Sequence, residues 1–376
     1  MAKKINVGIL FGGKSAEHEV SLESARNVYQ AIDRGRFNPI LIGIDKSGRW
    51  FLREDSCFLL NSAPHGEAGP TGKGSPITLA PRGGGALSLL DGGKAAEMPV
   101  LDVVFPILHG PFGEDGTVQG LLKLAGIPFV GSGVLGSALG MDKDVMKRLL
   151  RDAGIPIGKF LALRAHEKIP SYREAAEILG SPVFIKPANM GSSVGIAKVR
   201  SPEEYQNAVK EAFRYDSKIV IEEFIKGREL ECAVLGNEEV IASDPGEVIP
   251  RHEFYSYDAK YVDEHGAAFA IPAPLSETTK ERVRELAVKT FTSLCCEGLS
   301  RVDFFLRESP ADESGGSITA DILVNEINTM PGFTRISMYP KLWEAGGISY
   351  TELITRLIEL AIRRFRREES LVTSKF

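Results

Sequence analysis

Cysteine is scarce: Cys57, Cys232, Cys295 and Cys296 are the four in 376 residues. None stands in a C-x-x-C pair or beside a histidine pattern, which argues against a disulfide framework or a zinc site. Reduced, structural thiols are the expectation, and they suit a cytoplasmic protein. Long apolar runs are missing as well. The opening "MAKKINVGILFGG" starts basic, but its apolar run is short and ends at Gly12 and Gly13. It reads as a first strand and not as a signal peptide, and no stretch reaches the length that spans a bilayer. Excess charge of one sign is the third absence. A formal net charge of -5 with 25% charged residues gives no electrostatic reason to expect nucleic acid or a membrane as partner.

What is present is ordinary globular composition, 43% hydrophobic, in a chain longer than one core supports. Two or three domains are expected, with a ligand cleft between them. "INVGILFGG", "SAEHEVSLESARNVYQAID" and "FNPILIGID" read as strand, glycine turn, helix and strand, a βαβ opening. Residues 54–98 shift to Gly, Pro and Ser around two short apolar runs, "PITLA" and "ALSLL". This is an inserted hairpin or mobile excursion with no assigned chemistry. "LDVVFPILHG" is a strand, after which Asp115 and Thr117 are placed to cap a helix. Residues 131–156 read as one helix closed by Gly154 and stopped by Pro156. Strands and helices then alternate through "KFLALRA", 171–179, "SPVFIKPANMGSSVGIAKVR", 202–214 and "SKIVIEEFI". Beyond "GREL" strands dominate, interrupted by an irregular segment at 244–272, a helix over 276–296 and a C-terminal amphipathic helix from Tyr350.

Five stretches carry unexpected polar groups. In "LVNEINTMPGF" the alternation of a strand points Glu326 and Asn328 to one face, and in "GLSRVDFFLR" it does the same for Arg301 and Asp303. Alone, either could be a strand end meeting water. As antiparallel neighbours, the two strands bring Asp303, Glu326 and Asn328 together as oxygen ligands for a hard cation such as Mg²⁺. In "VFIKPANMGSSVGIAKV" a Gly/Ser loop between strands lets backbone N–H groups approach phosphate, with Lys186 to neutralise charge. Alone this is also what a plain turn looks like, and it matches neither the P-loop nor the dinucleotide fingerprint. Lys143 in "GMDKDVMK" and Glu222, Glu223 and Glu229 in "IEEFIKGRE" complete an order of lysine, glycine loop and interdomain carboxylates.

This combination resembles the ATP-grasp superfamily. Within it, "LFGGKSAEHEVSLESA", "LHGPFGEDGTVQGLLKLAGIPFVGSG", "MDKDVMKRLL", "KPANMGSSVGIAKV", "YDAKY", "RVDFF" and "NEINTMPGFT" are similar to the D-alanine:D-alanine ligases of bacterial wall synthesis. The resemblance covers nearly the whole chain apart from 54–98 and the tail. It implies a fold of α/β and α+β parts in a three-domain ATP-grasp architecture. The parts would be an N-terminal βαβ-type domain over 1–131, a central domain over 132–223 and a C-terminal domain over 224–376 carrying a lid at 244–272.

The resemblance also implies roles. Asp303, Glu326 and Asn328 would hold two Mg²⁺ ions, for which Mn²⁺ can substitute. Lys143, Lys186, Ser192, Ser193 and Lys260 would meet the ATP phosphates; Glu222, Glu229 and the backbone of Glu223 and Ile225 would meet adenine and ribose. Glu17 would take the ammonium of the first D-alanine, with His109 nearby. Arg301 and the Gly332 N–H would stabilise the oxyanion, and Ser337 and Met338 would take the second substrate's carboxylate. Ser192 and Tyr261 would tie the lid to Glu17. The implied partners are D-alanine, ATP and a second copy of the chain. The competing readings are a ligase taking D-lactate or D-serine second, another carboxylate–amine ligase of the superfamily, and a non-catalytic nucleotide-binding relative. The last should have lost at least one of Lys186, Arg301, Asp303, Glu326 and Asn328, and all five are present.

Overall fold

The computed structural model describes residues 3–53, 74–90, 98–250, 267–308 and 320–372. Within them the chain builds three sheets. The first contains β1 (Ile5–Gly12), β2 (Phe37–Ile44), β3 (Trp50–Arg53), β4 (Ser75–Leu79), β5 (Leu87–Leu89) and β6 (Val103–Ile107), in the order β5-β4-β3-β2-β1-β6. Strand β1 pairs in parallel with β2 and β6. It is buried on both faces, as a central parallel strand must be. Val7, Ile9 and Phe11 join one core with Ala25 and Val28 of the helix His18–Ala31. Leu10, on the other face, meets Val118 and Leu122 of the helix Thr117–Ala125. The apolar runs "PITLA" and "ALSLL" form the expected hairpin, which extends this sheet antiparallel at its edge.

The second sheet is β7 (Phe160–Arg164), β8 (Val183–Pro187), β9 (Ala197–Val199) and β10 (Lys218–Glu223), in the order β7-β10-β8-β9. It packs against the helices Tyr172–Leu179 and Pro202–Tyr215 through Leu179, Ile185, Tyr205, Val209 and Ile219, a core of its own. Both helices start at serine caps, Ser171 and Ser201, whose side chains accept the N–H three residues on.

The third sheet comprises β11 (Arg228–Gly236), β12 (Val240–Ala242), β13 (Gly246–Pro250), β14 (Ala267–Ala270), β15 (Gly298–Glu308) and β16 (Ala320–Asn328). Its order is β14-β13-β11-β15-β16, with β12 beside β11. The helix Glu277–Ser293 covers one face. On the other, the helices Met338–Ala345 and Tyr350–Glu369 share a single core with the N-terminal sheet. Phe333 sits in the middle of that core, with ring centres 5.6 Å from Phe105 and 5.7 Å from Tyr339.

Two expectations are corrected. Residues 131–156 form two helices, Val134–Met141 and Lys143–Asp152, because Asp142 adopts an extended backbone and its side chain caps Val145 N–H. The segment 244–272 is not irregular throughout: β13 and β14 pair antiparallel from Glu247↔Ala270 to Pro250↔Ala267. The remainder of that segment, including Lys260 and Tyr261, lies outside the described residues, as do 54–73 of the insertion.

Candidate active site

The three sheets face one cleft of about 240 Å³, and each supplies part of its wall. The C-terminal wall starts from strand alternation. Cross-strand pairing sets Glu231 of β11 opposite Asp303 of β15, and Asp303 opposite Glu326 of β16. Directly opposed residues share a face, so three carboxylates stand in a row, which is destabilising unless a cation intervenes. Two cations do. Arg301 places Nε and a terminal nitrogen 2.6 and 2.7 Å from the two Asp303 oxygens, and its Nε lies 2.9 Å from Glu231. Lys143 Nζ lies 3.8 Å from Glu326. Asn328 donates to Asp303 at 3.0 Å. The ladder slips between Asp303 and Phe304, leaving Asn325 as the extra residue of β16. A bulge of this kind re-aims nearby groups. Here the Asn325 carbonyl accepts from Lys147 Nζ at 3.3 Å.

The metal expectation is tested by this donor set. Among the described residues no group of three or more His, Cys, Asp or Glu side chains is arranged around a metal position. Asp303 and Glu326 supply two carboxylates, and Asn328 can supply the third oxygen. All the donors are hard oxygens, on two neighbouring strands. The set fits Mg²⁺.

The central wall is the Gly/Ser loop between β8 and β9. Asn189 anchors its start, with backbone and side-chain N–H groups donating to Asp216 at 2.7 and 2.9 Å. Ser192 and Ser193 both take positive φ, 49° and 61°. Such a turn lines successive N–H groups along a concave edge, the arrangement that receives anions. Lys143, at the start of its helix, donates to the Met190 carbonyl at 2.7 Å. Lys186 Nζ is 2.6 Å from one oxygen of Glu222, and Lys147 Nζ is 3.1 Å from the other. Burial alone would raise the Glu222 carboxyl; the two ammonium groups outweigh it and hold the pKa at about 2. Burial lowers the pKa of Lys147, whereas Lys186, also opposed by burial, is held above its usual value by Glu222 and Glu326. Phe184, Ile196, Phe224 and Phe305 make an apolar end to the cleft, beside Glu223, Ile225 and Glu229. Glu223 accepts the Lys159 N–H at 2.8 Å and faces Arg307 at 3.6 Å.

The N-terminal wall contributes Glu17 and His109. Glu17 is buried at the start of its helix and accepts a short hydrogen bond from Ser192 Oγ, so the glycine loop touches the N-terminal unit directly. His109 bonds the Met330 carbonyl through Nδ1 at 3.0 Å and Ser24 through Nε2 at 3.2 Å. Burial works against its charged ring, but Glu114, Glu17 and the Met330 carbonyl together raise its pKa above 6.5. Ser24 also accepts the Phe333 N–H at 3.1 Å, and Asn27 donates to the Phe333 carbonyl. The turn carrying Gly332 is therefore held from the N-terminal helix. A side chain at Gly332 would collide with Ser337 Oγ at 2.7 Å, which explains glycine there. Ser337 ends that turn as the N-cap of Met338–Ala345 without a side-chain cap bond; its Oγ takes the Thr334 N–H instead. The helix start stays positive and faces the cleft.

The structure thus brings together Glu17, His109, Lys143, Lys186, Ser192, Ser193, Glu222, Glu223, Ile225, Glu229, Arg301, Glu326, Asn328, Gly332, Ser337 and Met338 as lining residues, with Asp303 behind Arg301. Lys260 and Tyr261 lie outside the described residues. Glu222 faces two lysines, a pairing that sequence reading did not foresee. Two further residues were not anticipated, although a signal existed for each. Lys147 follows Lys143 by one helical turn, and Glu231 follows Glu229 by the two residues that keep it on one strand face.

Residues 6–132 match the family model for the D-ala D-ala ligase N-terminus, and 149–359 match that for the C-terminus. The chain is 52% identical over 377 residues to the D-alanine–D-alanine ligase of Shouchella clausii, covering 100% of this chain and 99% of the relative. It is 49% identical over 373 residues to D-alanine–D-alanine ligase A of Escherichia coli K12, covering 99% and 100%. Among solved structures, the D-alanine-D-alanine ligase from Coxiella burnetii superposes with a TM-score of 0.83 at 37% identity, over 98% of this chain and 97% of that one. The VanG D-Ala:D-Ser ligase from Enterococcus faecalis superposes with a TM-score of 0.78 at 36% identity, over 96% and 100%.

Proposed function

The chain belongs to the D-alanine–D-alanine ligase family, and from that premise we propose that it joins two molecules of D-alanine at the expense of ATP for peptidoglycan synthesis. The observation that carries the reading is the contact of Ser192 with Glu17. It sets a phosphate-type loop against a buried carboxylate suited to an amino acid's ammonium, so nucleotide and amino acid occupy one space.

The chemistry follows from what each group can do. A carboxylate is a poor acyl donor until one of its oxygens carries a good leaving group. The first D-alanine, held by Glu17 with His109 alongside, attacks the γ-phosphorus; the new O–P bond forms as the bond to ADP breaks. Lys143, Lys186 and the N–H groups around Ser192 and Ser193 offset the charge on the transferring oxygens. Glu229, Ile225 and the backbone at Glu223 hold the nucleoside, and Glu222 orients Lys186. The second D-alanine, its carboxylate at the Ser337 hydroxyl and the Met338 N–H, attacks the acyl phosphate with an amine that has lost a proton. Arg301 and the Gly332 N–H stabilise the tetrahedral oxyanion, and phosphate leaves. Asp303, Glu326 and Asn328 would hold Mg²⁺, which supplies charge neutralisation for the phosphates when bound. Lys260 and Tyr261 are assigned to closure over the intermediate, which water would otherwise destroy. A cytoplasmic homodimer is what the family leads us to expect; among the described residues no helix is long and apolar enough to cross a membrane.

The test is phosphate release from ATP with D-alanine and, separately, L-alanine, with product mass analysis in mixtures of D-alanine, D-serine and D-lactate. D-alanyl-D-alanine as the main product at pH 7 is expected. No phosphate release with D-alanine would refute ligation, and a mixed D-alanyl-D-serine or D-alanyl-D-lactate product would reassign the second substrate.

A further inference from the structure

Lys147, the second lysine on Glu222, has no role among those assigned so far. Lys147 sits one turn beyond Lys143 on the helix Lys143–Asp152, with a side chain 3% exposed, and is not among the residues lining the cleft. Its ammonium is 3.1 Å from Glu222 Oε1, 3.3 Å from the Asn325 carbonyl, and 6.0 Å from the Phe160 ring centre. The other Glu222 oxygen is 2.6 Å from Lys186, which does reach the cleft. One buried carboxylate is thus divided between two buried ammonium groups. Glu326 acts on both ammonium groups as well, so the charge left on Lys186 depends on how much of Glu222 each lysine takes, and in a medium of low dielectric that balance acts strongly on whatever anion arrives.

We propose that Lys147 is a positioning residue for ATP: by occupying one oxygen of Glu222 it keeps Lys186 from being fully neutralised, so that Lys186 presents its charge to the nucleotide phosphates. This rests on the reading of the cleft as an ATP site. Without Lys147, both Glu222 oxygens turn to Lys186, the pair becomes neutral, and the phosphates are left with Lys143 and the loop N–H groups. The fold should survive, because Glu222 keeps a buried partner and a methionine fills the lysine's volume.

The experiment measures steady-state kinetics and competition by ADP and by adenosine, in wild type, Lys147→Met, Lys147→Met/Glu222→Gln and Lys186→Met. Lys147→Met should raise KM for ATP and weaken ADP about tenfold, with KM for D-alanine and adenosine competition changed less than about twofold. The double variant should regain ADP affinity relative to adenosine, since removing the carboxylate frees Lys186 again; this non-additivity is what a residue acting through Glu222 produces. If Lys147→Met does not fold, the double variant, free of the Glu222 charge, carries the comparison with Lys186→Met. Unchanged ADP affinity in folded Lys147→Met, equal weakening of ADP and adenosine, or no recovery in the double variant would each overturn the proposal. Unaltered ADP affinity in Lys186→Met would instead overturn the phosphate reading beneath it.

Discussion

The N-terminal and C-terminal units meet through carbon, whereas the central sheet meets both through charge and backbone. Val7, Phe105, Phe333, Tyr339 and Leu357 belong to one continuous core that runs from the first sheet into the last two helices. The core of the central sheet is drawn from residues 161–221. Its links outward include Ser192 to Glu17, Lys143 to the Met190 carbonyl, Lys218 to Asp142 and Asp144, and Glu223 to Arg307. Apolar burial is non-directional and additive with area, so a shared core fixes two walls of the cleft as one body. Hydrogen bonds and ion pairs exchange with water at little net change, which leaves the third wall responsive to a bound anion. The difference makes the walls from the first and third sheets one body and leaves the wall with the Gly/Ser loop the adjustable one.

The sharpest break would come from the shared core. Phe333→Ala should cost about 3–5 kcal/mol, and Ile185→Ala in the central core about 2–5 kcal/mol. By native-state hydrogen exchange, Phe333→Ala should loosen the N-terminal and C-terminal sheets together, while Ile185→Ala loosens β7 to β10 alone. Uniform loss of protection in both variants would mean that the three sheets form one cooperative unit.

Next in size is the joint between the two regions. Ser192→Ala removes a hydrogen bond to a charged, buried group, worth about 1.5–3 kcal/mol. We expect KM for D-alanine to rise by roughly tenfold, with a fall in thermal stability of that order. An unchanged KM would detach the loop from the amino-acid site.

A smaller effect follows pH. His109 holds its proton more tightly folded than unfolded, so its contribution to stability is complete below the unfolded value of about 6.5 and is lost as pH rises through the higher folded value. Urea unfolding of wild type should show stability declining above pH 6.5, and His109→Gln should flatten that decline. A decline of the same slope in the variant would assign it elsewhere. Smallest of all, Arg173→Ala, which breaks an exposed pair with Glu177 on a central helix, should shift stability by less than about 0.5 kcal/mol. A larger loss by differential scanning calorimetry would show that surface charge matters to this unit.

Much of this was legible from local pattern. Residues two apart on a strand predicted that Arg301 would face with Asp303 and Glu326 with Asn328, and the antiparallel pairing of β15 and β16 agrees. The glycine-serine loop beside Lys186 was visible because its chemistry is contiguous. Less was visible where the partner is distant. Lys147 and Glu231 each sit at a regular interval from a residue that was identified, but nothing local says that Lys147 ends against Glu222 or Glu231 against Arg301. Strand β13, "GEVIP", has glycine and proline at its ends and weak alternation, and becomes a strand through cross-strand bonding to β11 and β14.

By itself the sequence determined most of the elements, the faces that are apolar, and which polar groups stand out against them, since helical and strand periods are set by covalent geometry and sterics within a few residues. Tertiary structure alone decided how the charges are shared. Asp303 could serve a metal or an arginine, and Glu222 a nucleoside or two lysines. Which of these holds depends on burial and on distances of a few ångströms between segments far apart in the chain, where the strength of each interaction is set by the surrounding dielectric.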